Sequence, residues 1–178
     1  MQFKIIVAMC QNNGIGINQK LPWRLKEDLK HFSKLTKGNG NNAIVMGKNT
    51  WKSIGCTPLP KRDNLILSNT LHNEITECGN ESVKIFDSIE NMKLWCHEKK
   101  YEEIWVIGGQ SIYEQFINDE NCNEMYITQI TKDFTCDTFF PEIDNTRWSC
   151  VKETPLEIES NCNLKDSVII NLFAKIYN

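Results

Sequence analysis

Short, unbroken apolar runs recur through the first two-thirds of the chain, and segments with helical spacing separate them. The runs are Phe3 to Met9, Ala43 to Gly47, Asn64 to Leu67, Val83 to Phe86 and Glu103 to Ile107. A strand that is apolar on both faces must be covered on both faces, which is the condition of a parallel sheet between helix layers. The intervening stretches Arg24 to Lys37, Asn49 to Ile54, Ser88 to Lys100 and Ser111 to Ile117 read as helices, with Ser88 placed as an N-cap. Gln11 to Lys20, with Gly14 and Gly16, reads as a loop. The pattern then changes. Met125 to Thr131, Arg147 to Thr154 and Asp166 to Ile176 alternate, the first as a more exposed strand and the last two as a hairpin around a polar loop. The expectation is one α/β domain over residues 1–178. Its sheet is mixed but mostly parallel, with a C-terminal antiparallel hairpin and helices on both faces.

A net charge of −3 leaves no footprint for nucleic acid or an anionic membrane. No apolar run approaches the ~20 residues of a membrane span, and Met1 to Lys4 leads straight into a strand rather than a secretory signal. The eight cysteines include no C-x-x-C pair, and with three histidines they form no zinc pattern. Free thiols, a cytoplasmic location, a monomer and no metal are therefore expected. Asn80-Glu81-Ser82 reads as a chance glycosylation sequon.

The most informative residue is Asp28. At about 100° per residue, Leu25, Leu29, Phe32 and Leu35 form one apolar arc, and Asp28 falls inside it. An ionised carboxylate is expensive to bury without a partner. Either core hydrogen bonds satisfy it, or it stands at the wall of a ligand cavity and meets the ligand's own donors.

Two strand-to-helix junctions carry glycine. Gly108-Gly109-Gln110-Ser111 permits close backbone approach at a helix start, where N–H groups can hold a phosphate. Met46-Gly47-Lys48-Asn49-Thr50-Trp51 adds a cation and polar side chains at a similar junction. A capped tight turn and a solvated lysine are the plainer readings. Gly14-Ile15-Gly16 is not a Rossmann fingerprint: no third glycine follows at position 19, and Leu21-Pro22-Trp23 stands where a helix should start.

Taken in order, Ile15-Gly16, Leu21-Pro22-Trp23 with Asp28 five residues later, Val45 to Trp51, Pro58 to Arg62, Val106 to Gly109 with Tyr113, Tyr126 to Thr128 and Asp137 to Pro141 resemble dihydrofolate reductase along most of the chain. The resemblance implies NADPH-dependent reduction of 7,8-dihydrofolate, with antifolate-type small molecules as competing ligands. It implies that Asp28 binds the pteridine's amidine-like edge and Thr128 bonds nearby. Phe32 stacks on the pterin, Ile6, Val7, Leu29, Ile54, Leu59, Ile107 and Tyr113 line the pocket, and Arg62 holds the α-carboxylate of the glutamate tail. A water near Leu21 and Trp23 delivers the proton to N5. On the cofactor side, Ala8, Ile15 and Gly16 meet the nicotinamide. Lys48, Asn49 and Thr50 hold phosphates, with Lys48 on the 2′-phosphate, and Gly47 beside them also belongs to the cofactor site. Leu67, Ser68 and Asn69 flank the adenosine. Gly109 to Ile112 (through Gln110 and Ser111) bind pyrophosphate, Ile107 and Gly108 also meet the cofactor, and the Gly108-Gly109 peptide is cis in the family. The 11–20 loop is a lid, with Asp137 reaching across to it.

The departures are modest. Gln110 stands where a third glycine is frequent, Lys48 where arginine is, and Asp28 where vertebrate members have glutamate. Two other readings are a related pyrimidine reductase, which the Leu-Pro-Trp…Asp spacing and Arg62 disfavour, and a non-catalytic folate or nucleotide binder, which would need a defective site.

Overall fold

The computed structural model describes residues 1–71, 81–158 and 168–176. Cys78, Asn80 of the sequon, Cys162 and the polar loop with the first residues of the last strand lie outside the described residues. Along the chain run β1 (Phe3–Cys10), β2 (Gly14–Gly16), α1 (Lys26–Lys37), β3 (Asn42–Gly47), α2 (Lys48–Ser53), β4 (Asp63–Leu67), β5 (Val83–Phe86), α3 (Ile89–Lys99), β6 (Glu103–Val106), α4 (Gln110–Phe116), β7 (Cys122–Ile130), β8 (Thr138–Phe139), β9 (Trp148–Pro155) and β10 (Val168–Lys175). Eight strands form one sheet in the order β5-β4-β3-β6-β1-β7-β10-β9. Pairings from β5 to β7 are parallel, and β10 runs antiparallel to both β7 and β9.

The continuous apolar runs follow from a core on both faces. Phe3, Ile5, Val7, Ala43, Val45, Leu65, Ile104 and Val106 pack on one side, with Met92 and Cys96 of α3 and Ile112, Tyr113 and Phe116 of α4. Their neighbours Ile6, Ile44, Met46, Ile66 and Trp105 pack on the other, with Trp51 of α2 and Phe32 and Leu35 of α1. Successive strand residues point to opposite faces, so both must be apolar when both are roofed. Ser88 caps α3 as expected, its hydroxyl accepting from the Asn91 N–H at 3.2 Å.

Two expectations need correction. The β7 segment is an interior strand, not a more exposed one: it lies between β1 and β10 and buries Cys122, Met125, Ile127, Thr128 and Ile130. Its polar residues are matched by partners, Glu124 with Lys4 at 3.1 Å and Gln129 Nε2 donating to the Cys10 carbonyl at 3.1 Å. Nor is 11–20 wholly irregular. Gly14–Gly16 pairs antiparallel with Thr138–Phe139 as a second, two-stranded sheet.

Candidate active site

The sheet order places β1 between β6 and β7, while the chain leaves β1 for β3 on one side and later returns through β6 to β7 on the other. A crevice opens at the carboxyl ends of the strands where an open α/β sheet reverses in this way. Here it is a cleft of about 780 Å³, the size of a cofactor-binding pocket. The end of β1 supplies Ile6, Val7 and Ala8, α1 supplies Asp28, Leu29 and Phe32, and β2 supplies Ile15 and Gly16. Leu21, Gly47, Lys48, Asn49, Thr50, Ile54, Leu59, Leu67 and Ile107 complete much of the rest, with Gly109, Gln110, Ser111, Ile112 and Tyr113 at the opening of α4.

Asp28 is only 7% exposed although it stands in the first turn of α1. Its Oδ1 accepts from the Thr128 hydroxyl of β7 at 2.6 Å, across 100 residues of sequence. Burial raises its carboxyl above the usual range, and the Thr128 hydrogen bond and nearby His31 pull it partly back. The core thus supplies one partner, while the carboxylate lines the cleft. Both sequence readings of Asp28 contain part of the truth. Leu29, by contrast, is not a core residue of the apolar arc: it is 52% exposed, at the cleft rim.

Other expected residues surround the cleft without lining it. Thr128 stands behind Asp28. Trp23 is buried, with Nε1 a donor that has no hydrogen-bond partner. Arg62 is buried too, donating through Nη1 to Thr36 Oγ1 and through Nε to the Pro60 carbonyl at 3.1 Å. Its guanidinium carbon lies 5.9 Å from the ring centroid of Phe32, so it sits one side chain away from the cleft. The Tyr113 hydroxyl donates to the Ile6 carbonyl at 2.9 Å and so fixes the end of β1.

At the opposite end, the junctions after β3 and β6 meet: the Gly47 N–H donates to the Gly108 carbonyl at 2.8 Å. The Gly108-Gly109 peptide is cis, and Gly108 has φ +100° with a would-be Cβ 2.7 Å from the Tyr113 ring, so no other residue fits there. Gly109 itself turns its open side toward Thr50 Oγ1, which is 3.3 Å from where a Cβ would stand. The first N–H groups of a helix lack intrahelical acceptors, so Gln110 and Ser111 offer donors here. Lys48 Nζ donates to Thr70 Oγ1 at 2.7 Å, beside Ser68, which itself approaches Thr70 at 3.5 Å. Neither Ser68 nor Asn69 is among the residues that line the cleft. This donor set fits the phosphates of a dinucleotide.

Asp137 reaches the 11–20 segment as expected. Its Oδ2 accepts from the Asn18 N–H at 2.8 Å, and its own N–H donates to the Gly16 carbonyl at 3.0 Å. The reading of motifs missed Gln19, Lys20, Ser53, Glu114 and Thr138, which also line the cleft. Thr138 lay in a quoted motif, Ser53 and Glu114 stand one helical turn beyond named residues of α2 and α4, and Gln19 and Lys20 arrive by a chain reversal that carries no local signal.

Fold and site together define a small α/β enzyme that offers a carboxylate to one end of its ligands and anion-binding groups to the other. The sequence model for dihydrofolate reductase matches residues 2–171. The dihydrofolate reductase of Drosophila melanogaster is 40% identical over 153 residues, 82% of each chain. That of Heliothis virescens is 35% identical over 183 aligned positions, covering 99% of this chain and 98% of that one. The solved structure of Enterococcus faecalis dihydrofolate reductase, complexed with NADP(H) and RAB-propyl, superposes with a TM-score of 0.83 at 29% identity, covering 99% and 97% of the two chains. The chain belongs to the dihydrofolate reductase family.

Proposed function

We propose that this chain reduces 7,8-dihydrofolate to 5,6,7,8-tetrahydrofolate with NADPH. The observation that carries this reading is the buried Asp28 in the same cleft as Lys48 and the Gly109 corner. Bound NADPH supplies the hydride that C6 of the pterin accepts.

The chain's own residues bind, orient and protonate. Asp28 accepts N–H donors from the pteridine edge, and the Thr128 hydroxyl holds its carboxylate in place. A ligand donor at Asp28 offsets the cost that burial imposes on the anion. Phe32, with Ile6, Val7, Leu29, Ile54, Leu59 and Ile107, supplies apolar walls. Arg62, beyond Phe32, takes the carboxylate of the glutamate tail. The unpartnered Nε1 of Trp23 is a donor to which a water can bond, and half-exposed Leu21, which lines the cleft, shapes the route by which a proton reaches N5. Ala8, Ile15 and Gly16 seat the nicotinamide, Lys48 with Asn49 and Thr50 the phosphates, Leu67, Ser68 and Asn69 the adenosine, and Gly109 to Ile112 the pyrophosphate. Fixing both rings in one apolar cleft lowers the entropic part of the barrier. Antifolate-type molecules that present donors to Asp28 compete for the same wall. We place the chain in the cytoplasm; the free state of all six described cysteines supports this.

NADPH oxidation followed with dihydrofolate, and separately with a ribosylated aminopyrimidine, tests the assignment. The expected result is turnover with the first alone. Turnover with the second alone, or NADPH binding without oxidation, would overturn it.

A further inference from the structure

Cys10 ends β1 and is buried; Cys136 precedes β8 and is half-buried. Their sulfurs lie 3.9 Å apart, 126 residues distant in sequence. Both press on Gly14, the first residue of β2: a Cβ there would stand 2.4 Å from the Cys136 sulfur and 2.9 Å from that of Cys10. Cys10 also donates to Asn12 Oδ1 at 2.8 Å, which accepts the Gly14 N–H at 3.3 Å. The thiols therefore flank the root of the segment whose Ile15 and Gly16 line the cleft, and the paired strand brings Thr138 to the same cleft.

We propose that Cys10 and Cys136 are a modification site: a dithiol that hydroperoxides oxidise to a disulfide, pinning the lid segment and slowing turnover. A disulfide spans about 2.05 Å, so the sulfurs must close by roughly 1.9 Å, which side-chain rotation and a small shift of the 131–138 segment supply. Cys136, the more accessible, attacks as thiolate. Its sulfur bonds to the terminal peroxide oxygen, the O–O bond breaks, and the alcohol leaves with a proton. The Cys10 sulfur then attacks the sulfenic sulfur, the S–S bond forms, and hydroxide leaves as water with the Cys10 proton. Two thiols lose two electrons in all, and the peroxide is reduced to alcohol and water. Burial, with the Cys10 thiol alongside, pushes Cys136 up to about 11, so the reaction quickens as pH rises toward that value.

The test treats the full reduced chain with tert-butyl hydroperoxide, then alkylates, digests and maps it. A cross-linked Cys10–Cys136 peptide is expected, forming roughly tenfold faster for each pH unit between about 7 and 9. Turnover should fall at least about fivefold and return with dithiothreitol. Cys136→Ser and Cys10→Ser should each keep the untreated rate and lose the reversible inhibition. Oxidation confined to exposed Cys56 and Cys150, or a 10–136 cross-link that leaves turnover unchanged, overturns the proposal. The turnover measurement rests on the reductase reading and the peptide map does not, so failure of either is told apart. Should both variants fold poorly, the map on the natural chain still decides.

Discussion

The two ends of the cleft are built by different means. At the Asp28 end a carboxylate is buried against the cleft and held by a side-chain hydrogen bond from the central sheet, with Arg62 buried behind Phe32. At the Lys48 end the anion-binding groups are a half-buried cation, short polar side chains and the backbone of glycine corners. The first arrangement is costly to the free protein and gains from a matched ligand. The second costs little, and its strength depends on geometry. Selectivity for a heterocycle can thus rest on one residue, while affinity for a phosphorylated cofactor is spread over many.

That contrast breaks most readily at Asp28. Asp28→Asn should lower turnover with dihydrofolate near neutral pH by roughly 10²-fold or more, the scale of a lost acid-base group, while NADPH affinity stays within about twofold. Stopped-flow kinetics and a fluorescence titration of NADPH measure the two effects. Comparable losses in both would erase the division of labour.

Next in size, Lys48→Ala removes one charge-assisted contact. NADPH should bind roughly 10- to 100-fold more weakly, with NADH nearly unaffected. Parallel titrations with both cofactors check this, and equal losses would take Lys48 off the 2′-phosphate.

Gly14→Ala probes the lid root. The added methyl has nowhere to go between two sulfurs, so urea unfolding should show a loss of about 1–3 kcal/mol. An unchanged midpoint would show that the packing gives way freely.

The smallest effect belongs to Asp137. The Asn18 N–H and the Thr138 hydroxyl hold its carboxyl below the ordinary range. Its tie to the lid is therefore complete above that range and is lost as pH falls through the depressed value. Asp137→Asn should change turnover by about two- to threefold and abolish any acid-side change in lid protection seen by hydrogen exchange.

Much of this was legible in the sequence for a physical reason. Two-sided burial leaves continuous apolar strands, and a carboxylate inside an apolar arc violates its pattern whatever the tertiary context. What escaped was non-local. Nothing near Asp28 announces Thr128, which only the family resemblance named, and nothing near Cys10 announces Cys136. Glu124 and Gln129 gave the β7 segment an exposed look because Lys4 and the Cys10 carbonyl, their partners, lie on another strand. Leu29 shares the apolar arc with core residues yet lines the cleft, because a helical wheel gives direction and not depth.

The central claim is that the free chain keeps an acid in its interior for a ligand's benefit. Burial raises the folded-state value of Asp28, so its ionisation lowers stability as pH climbs from the unfolded value through the folded one, and that loss is complete above it. Thermal melting at pH 7 of the natural chain and Asp28→Asn, each alone and with saturating dihydrofolate, is the direct measurement. Without ligand the variant should melt higher by roughly 2–4 °C, the shift that about 1 kcal/mol gives a chain of this length, and with ligand the order should reverse. A variant that melts lower in both conditions would make position 28 a structural prop.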